Sequence, residues 1–133
     1  MSYDNAVADC QAQGRELAYP SNAEENIAIW NAHPETRNIW LGININDGQS
    51  WKTVGGDAQE YFAWDSGQPD SGGSGWSEPC VEMWDRGNGD GLWNDLPCNH
   101  ERHFLCQEPR KFFWRRLYAQ SEFDLLIVNL FKI

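Results

Sequence analysis

Four cysteines, at positions 10, 80, 98 and 106, constrain the fold of this chain more than any other feature of the sequence. In 133 residues, four cysteines beside eight tryptophans and twelve glycines are typical of a small, loop-rich domain stapled by disulfides. Zinc is the competing use of cysteine, but these spacings lack the paired C-x2-C arrangement of zinc sites. The sequence therefore predicts disulfides and a secreted, extracellular protein, and it leaves three pairings open.

The formal net charge of −10 is unevenly distributed along the chain. Residues 1–108 hold 18 acids and 5 bases, whereas residues 109–133 hold 2 acids and 5 bases. We therefore predict one domain over residues 1–108 and an atypical basic and apolar tail over residues 109–133. An acidic body argues against nucleic acid as a partner and favours cation binding. No apolar run approaches the roughly 20 residues that span a bilayer, so we expect no membrane span.

Two helices are predicted near the N-terminus. The first follows Ser2 and ends at Gly14, because serine is a good N-cap and glycine a frequent C-terminal stop. The second begins at Ser21, where Ser21-x-x-Glu24 has the form of a capping box, and it ends near the His33-Pro34 dipeptide.

Strand-like segments alternate with turns in the rest of the chain. The β-branched, apolar run from Asn38 to Ile45 predicts a buried strand, and Ser50 to Val54 predicts a short second one. Further strands are expected at Cys80 to Trp84 and at His103 to Glu108. The segment from Asp65 to Gly91 is otherwise irregular and rich in glycine, and a long irregular stretch in a small domain is usually functional.

Five oxygen-bearing side chains lie close to the cysteines at positions 80 and 98. They are Gln68, Asp70 and Glu78 on one side, with Asn94 and Asp95 of a predicted turn on the other. Taken singly, such residues are most often solvated or turn-forming. Three carboxylates gathered together would repel one another without a cation, however, and calcium accepts amide and carboxylate oxygens in irregular loops. The group predicts a calcium site.

Pro69 separates two of these side chains. A cis peptide bond between Gln68 and Pro69 would let both flanking side chains face one ion, and proline is the residue for which the cis isomer costs little. The sequence leaves the isomer open.

Together these motifs resemble those of the C-type lectin domain from Tyr3 to Glu108. The matching elements are WLGI at residues 40–43, QPD at 68–70, a glutamate two residues before Cys80, WND at 93–95 and FLC at 104–106. The resemblance implies an α+β, C-type lectin-like fold of two helices and small antiparallel sheets with long calcium-binding loops. It implies disulfides from Cys10 to Cys106 and from Cys80 to Cys98. It also implies that the five oxygen donors bind one calcium ion together with two sugar hydroxyls.

The order of amide and acid in QPD implies a galactose or N-acetylgalactosamine ligand, since exchanging them moves hydrogen-bond donors and acceptors across the site. Trp76 is a candidate for stacking on the apolar face of the sugar, although five residues separate it from the motif and a packing role is the alternative. A second calcium position of the family is not supported, because Ser71 and Pro79 stand where acids are common. We expect one calcium ion.

The two ends of the chain depart from the family pattern. The chain begins too late to supply the usual N-terminal strand, which pairs with the final one. Residues 112–118 could fold back as a replacement edge strand beside HFLCQE, or the tail could be disordered. The apolar run from Phe123 to Phe131 could instead drive formation of a homo-oligomer.

The leading hypothesis is calcium-dependent binding of galactose-type glycans, in recognition or innate defence. One alternative keeps the fold but replaces the sugar with ice, a mineral or a protein, because architecture alone does not fix function. A glycosidase using paired carboxylates is the less favoured alternative, since nothing marks one carboxyl as a proton donor. We predict that the chain is not an enzyme.

Overall fold

The structure, a computed structural model, describes residues 1–32, 38–71, 78–85, 91–110 and 131–132. Within these ranges it contains two α-helices and seven short β-strands. In chain order they are α1 (Tyr3–Ala12), β1 (Glu16–Leu17), α2 (Ala23–Asn31), β2 (Ile39–Asn44), β3 (Lys52–Thr53), β4 (Cys80–Trp84), β5 (Leu92–Leu96), β6 (His103–Gln107) and β7 (Phe131–Lys132). The predicted α+β fold is confirmed, with a mixed rather than purely antiparallel arrangement of strands.

Both predicted helices form, and the second begins one residue later than expected. Ser2 caps α1, with its Oγ accepting from the backbone N–H of Asn5 at 3.3 Å. The capping residue of α2 is Asn22, whose Oδ1 accepts from the N–H of Glu25 at 2.8 Å, so the box at Ser21 and Glu24 is wrong by one position. The physical reason is that Glu25 points inward, where its carboxylate accepts from the N–H of Ser21 at 2.8 Å.

The main sheet has the order β1-β6-β2-β4-β5, with β3 beside β2 and β7 beside β6. β2 runs antiparallel to β4, and β4 runs antiparallel to β5, whereas β6 runs parallel to β2. In this register Glu82 of β4 lies between Trp40 of β2 and Asn94 of β5. β5 is the last strand of this order, which leaves its outer edge to be covered by a loop.

The central strands are buried on both faces, which explains why their sequences are almost continuously apolar. One face packs with α1 into a cluster that we call the α1 core: Tyr3, Ala6, Cys10, Leu17, Trp40, Cys80, Leu96, Phe104 and Cys106. The other face packs with α2 into the α2 core: Ala18, Tyr19, Ile29, Ile39, Leu41, Ile43, Val81, Met83, Trp93 and Leu105. Successive residues of a strand point to opposite faces, so β2, β4, β5 and β6 each contribute to both cores.

Two disulfides tie these layers together, and their pairing confirms the one implied by the family resemblance. Cys10 of α1 is bonded to Cys106 of β6, with their Cα atoms 5.5 Å apart. Cys80, which begins β4, is bonded to Cys98, which follows β5, with their Cα atoms 5.3 Å apart. The first bond fixes the two ends of the domain, and the second fixes the base of the loops that follow β3 and β5.

Gly42 in the centre of β2 shows why the WLGI segment requires glycine. A Cβ atom at this position would overlap the carbonyl oxygen of Leu17. The Gly42 N–H donates to the carbonyl of Ala18 at 2.8 Å, and its own carbonyl accepts from the N–H of Val54 at 2.9 Å. Only a residue without a side chain allows β2 to approach the β1 segment this closely.

Arg110 connects the end of the acidic body to α2. Its guanidinium donates to the carboxylate of Glu25 at 2.7 Å and to the carbonyl of Tyr19 at 2.8 Å. It also lies over the Tyr19 ring, with 4.8 Å between the guanidinium carbon and the ring centroid.

Farther along the tail, β7 pairs antiparallel with β6 at Leu105 and Cys106. The proposed replacement strand at residues 112–118 lies outside the described residues, as does most of the apolar run from Phe123 to Phe131.

Candidate functional site

The loop between β3 and β4 covers the outer edge of β5. The N–H of Trp93 donates to the carbonyl of Ala63, and the N–H of Asp65 donates to the carbonyl of Trp93, both at 2.9 Å. These bonds satisfy edge groups that would otherwise be exposed. They also carry the chain along β5, so that residues 68–71 arrive beside Asp95.

Asp65 stabilises the conformation of the loop between β3 and β4 through several hydrogen bonds. Its carboxylate accepts from the N–H of Ser66 at 2.7 Å and from the indole N–H of Trp84 at 2.8 Å. Its carbonyl accepts from the N–H of Gln68 at 2.9 Å. The peptide bond between Gln68 and Pro69 is cis, as the calcium-site hypothesis suggested.

Three of the predicted ligands meet at this edge. Asp70, Glu78 and Asp95 each place one carboxylate oxygen within 4.8 Å of the others, and we call this set the acidic cluster. Asp95 is buried, and its two oxygens accept from the N–H groups of Asp70 at 3.0 Å and Ser71 at 2.7 Å. The loop is thereby fastened to β5 by the same side chain that completes the cluster.

Gln68 adds a neutral oxygen to the loop. Its Oε1 is buried and has no hydrogen-bond partner among the described residues, a costly arrangement for an amide oxygen. Clustered carboxylates are also costly, since like charges at this separation repel. A hard divalent cation would satisfy both features, and all four side chains offer the oxygen ligands that calcium prefers. The residues present therefore fit a calcium ion.

Asn94 differs from the other predicted ligands in its position. The expectation that Asn94 and Asp95 form a turn is wrong, because both lie in the strand β5. The Asn94 amide donates from Nδ2 to Oε2 of Glu82 at 2.9 Å. Its own oxygen therefore faces away from Glu82.

Glu82 was not singled out from the sequence, although a lone acid inside the apolar strand CVEMW is a signal that could have identified it. The residue is 1% exposed. Its Oε1 accepts from the guanidinium Nε of Arg102 at 2.6 Å. A buried carboxylate needs such partners, so the pair and the Asn94 amide form one network.

Two tryptophans belong to the segments that carry the predicted site. Trp93 is fully buried in the α2 core, and its indole N–H donates to the side chain of Asn26 at 2.9 Å. Trp76 lies in residues 72–77, outside the described part of the chain, so its stacking role stays a prediction. Among the described residues, no helix has the length and apolar character needed to cross a bilayer.

Comparison with known proteins gives a consistent result. Residues 1–108 match the protein family described as "Lectin C-type domain". The chain is 33% identical over 125 residues to perlucin of Haliotis laevigata, an alignment covering 91% of this chain and 79% of perlucin. It is 29% identical over 113 residues to the hepatic lectin of Gallus gallus, covering 82% of this chain but only 51% of that lectin.

Solved structures agree with the sequence relatives. The carbohydrate-recognition domain of the mouse scavenger receptor C-type lectin aligns with a TM-score of 0.69 and 26% identity, over 79% of this chain and 80% of that domain. A calcium-independent type II antifreeze protein aligns with a TM-score of 0.68 and 25% identity, over 80% of this chain and 77% of that protein. The relatives form a non-enzymatic family, which confirms the prediction that this chain is not an enzyme.

Proposed function

The chain belongs to the C-type lectin domain family, and we propose that it binds carbohydrate through one calcium ion held at the outer edge of β5. The observation that carries this proposal is the acidic cluster, three carboxylates within 4.8 Å of one another. Gln68, two residues before Asp70 in the chain, adds a buried amide oxygen that has no hydrogen-bond partner among the described residues. Such a group is unfavourable by itself and becomes favourable with a divalent cation.

Five side chains of this molecule would hold the ion. Asp70, Glu78 and Asp95 supply negative charge, whereas Gln68 and Asn94 supply neutral amide oxygens. When bound, the ion would offer coordination positions to two neighbouring hydroxyls of a sugar. The protein would hold these oxygens in place before the ion binds. For the loop it does so through the hydrogen bonds that the Asp95 carboxylate accepts from the N–H groups of Asp70 and Ser71.

The ligand class that we propose is galactose or N-acetylgalactosamine. Support comes from the order of side chains in the loop, with the amide at Gln68 and the acid at Asp70. An amide donates and accepts, whereas a carboxylate only accepts, so their order selects which hydroxyl pair can be satisfied. Trp76 is the candidate for stacking on the apolar face of the sugar. With two disulfides, the protein fits a secreted role in recognition or innate defence.

A glycan array probed with and without calcium tests the proposal. We expect binding to galactose-terminated glycans with calcium, loss of binding with a chelator, and release in mild acid, because protonating a carboxylate removes a ligand charge. Glu60→Gln, which removes one exposed carboxylate outside the cluster, is the matched control for Asp70→Asn. Binding that survives chelation would contradict the proposal.

The second candidate keeps the fold but has a ligand other than sugar, such as ice, a mineral or a protein. The similarity to the calcium-independent type II antifreeze protein favours it, because a solved relative of equal structural likeness carries that name. This second candidate would be favoured if the folded protein still bound calcium but bound no glycan on the array.

A further inference from the structure

Glu82 lies between a cation and a predicted calcium ligand. One of its carboxylate oxygens accepts from Arg102 at 2.6 Å, and the other accepts from the Asn94 amide at 2.9 Å. Arg102 is itself fixed to the N-terminus, since its backbone N–H donates to the carbonyl of Met1 at 2.9 Å. The indole N–H of Trp40, the residue opposite Glu82 on β2, donates to the same carbonyl at 2.9 Å.

From this network we propose that Glu82 is a positioning residue, which fixes the Asn94 amide so that its oxygen is available to the ion. A carboxylate has acceptors and no donors, so a neighbouring amide must present its NH2 group. Once Nδ2 of Asn94 donates to Glu82, Oδ1, on the other branch of the planar amide, is directed away from Glu82. This inference rests on the proposed function, because Asn94 acts here as a ligand.

Arg102 determines which kind of atom the side chain at position 82 presents on each side. Its guanidinium only donates, so the atom that faces Arg102 must be an acceptor. In Glu82→Gln the single acceptor of the new amide would be taken by Arg102. Its NH2 group would then face Asn94, whose amide would have to turn and present NH2 toward the ion. The variant therefore keeps the size and shape of the side chain at position 82 but reverses the orientation of the Asn94 amide.

The first measurement is calcium affinity by titration calorimetry on the full chain. We expect Glu82→Gln to weaken calcium binding by about tenfold or more, within the range seen when outer-shell partners of metal ligands are changed. Asn94→Ala should weaken it by a similar or smaller factor. Adding Glu82→Gln to Asn94→Ala should cause no further loss, since the residue through which Glu82 acts is then absent.

That double variant distinguishes positioning from simple attraction between Glu82 and the cation. A through-space effect of the charge would lower affinity by the same factor whether or not Asn94 is present, and this result would overturn the proposal. Glu25→Gln is the matched control, because Glu25 is likewise a buried carboxylate bound by an arginine but lies on α2. The calcium affinity of Glu25→Gln should match that of the wild type.

The second measurement does not depend on calcium. The side-chain NH2 resonance of Asn94, assigned by its disappearance in Asn94→Ala, should be displaced and protected from exchange in the wild type without calcium. It should lose both properties in Glu82→Gln. An unchanged resonance in that variant would overturn the positioning role even if calcium binds. If the wild type takes up no calcium at all, the proposed function fails with the inference, whereas an affinity unchanged only in Glu82→Gln refutes the inference alone.

Discussion

The α1 core and the acidic cluster belong to the same sheet but differ in what stabilises them, although Leu96 of the α1 core directly follows Asp95 of the acidic cluster on β5. The α1 core joins apolar side chains from α1, β1, β2, β4, β5 and β6, and both cysteines of the Cys10–Cys106 disulfide lie within it. The acidic cluster joins three carboxylates at the edge of β5, the strand whose C-terminal end is linked to the start of β4 by the Cys80–Cys98 disulfide. The first region is favourable by itself through burial, whereas the second gathers like charges that favour a cation. Stability and ligand binding are therefore expected to respond to different substitutions.

The largest effect is expected from the disulfides, and it tests the comparison directly. Replacing Cys10 and Cys106 by serine opens a loop with a sequence separation of 96 residues, and the free energy of unfolding should fall by about 4 to 5 kcal/mol. Replacing Cys80 and Cys98 opens a separation of 18 residues and should cost about 3 kcal/mol. Chemical denaturation measures both values.

Calcium affinity should follow the reverse order in these two variants. The Cys80 and Cys98 variant should bind calcium more weakly, because its disulfide fixes the segments that carry Glu78 and Asp95. The Cys10 and Cys106 variant should keep its calcium affinity when this is measured at a temperature low enough for the variant to be folded. Equal losses of calcium affinity would show that the two regions are not independent.

Asp95→Asn should have the next largest effect. The substitution removes a buried charge from the acidic cluster, together with one of the two acceptors that hold the loop. We expect calcium affinity and calcium-dependent retention on galactose resin to fall about 100-fold or more, roughly 2.7 kcal/mol. Glu60→Gln should leave both unchanged. Wild-type affinity in Asp95→Asn would mean that the acidic cluster is not the calcium site.

Arg110→Gln should destabilise the domain without changing calcium affinity. The side chain is 17% exposed and its partner Glu25 is 7% exposed, so removing the cation leaves a largely buried carboxylate without its counter-charge. We expect a loss of about 2 kcal/mol, below the range for fully buried pairs because of the remaining exposure. Arg15→Gln, which breaks the more exposed pair with Glu108, should cost less than about 1 kcal/mol. Equal losses would refute a special role for Arg110.

The smallest effect is expected at Asp47, a carboxylate for which the chain supplies its own cation. The ammonium of Lys52, 2.7 Å away, and the N–H groups of Gln49 and Ser50 lower the pKa of Asp47 from 3.8 to about 2. A lowered folded-state pKa means that its stabilising contribution is present above pH 4 and is lost as the pH falls toward 2. Asp47→Asn should therefore be slightly less stable than the wild type in urea at neutral pH, and the difference should vanish near pH 2. A difference that persists in acid would contradict this origin.

The elements that could be predicted from the sequence are those determined by nearby residues. The cap at Ser2, the stop at Gly14 and the apolar runs of β2, β4 and β6 depend on local conformational preference and strand length. The predicted start of α2 is one residue too early, because the position of Glu25 depends on its ion pair with Arg110, 85 residues away in the sequence. β5 was mistaken for a turn because its polar residues, Asn94 and Asp95, interrupt the apolar pattern that identifies a buried strand.

The candidate site shows the same division. Its five oxygen donors could be chosen from residue type and proximity to cysteines, since calcium selects for oxygen whatever the backbone does. Glu82 is equally close to Cys80 in sequence, but its role could not be predicted in this way, because that role depends on its cross-strand neighbours. Arg102 and Asn94 become those neighbours through the pairing of β4 with β5 and the return of the chain to β6.

By itself, the sequence determined the cysteine framework, the two helices, the apolar strands and the chemical identity of the oxygen donors, because each of these depends on side-chain type or on contacts a few residues apart. Only the tertiary structure decided that Asn94 and Asp95 lie in a strand, that three carboxylates converge within 4.8 Å, and that the Asn94 amide donates to Glu82. These features arise from strand register and chain return, which bring distant residues together and which no local pattern of the sequence encodes.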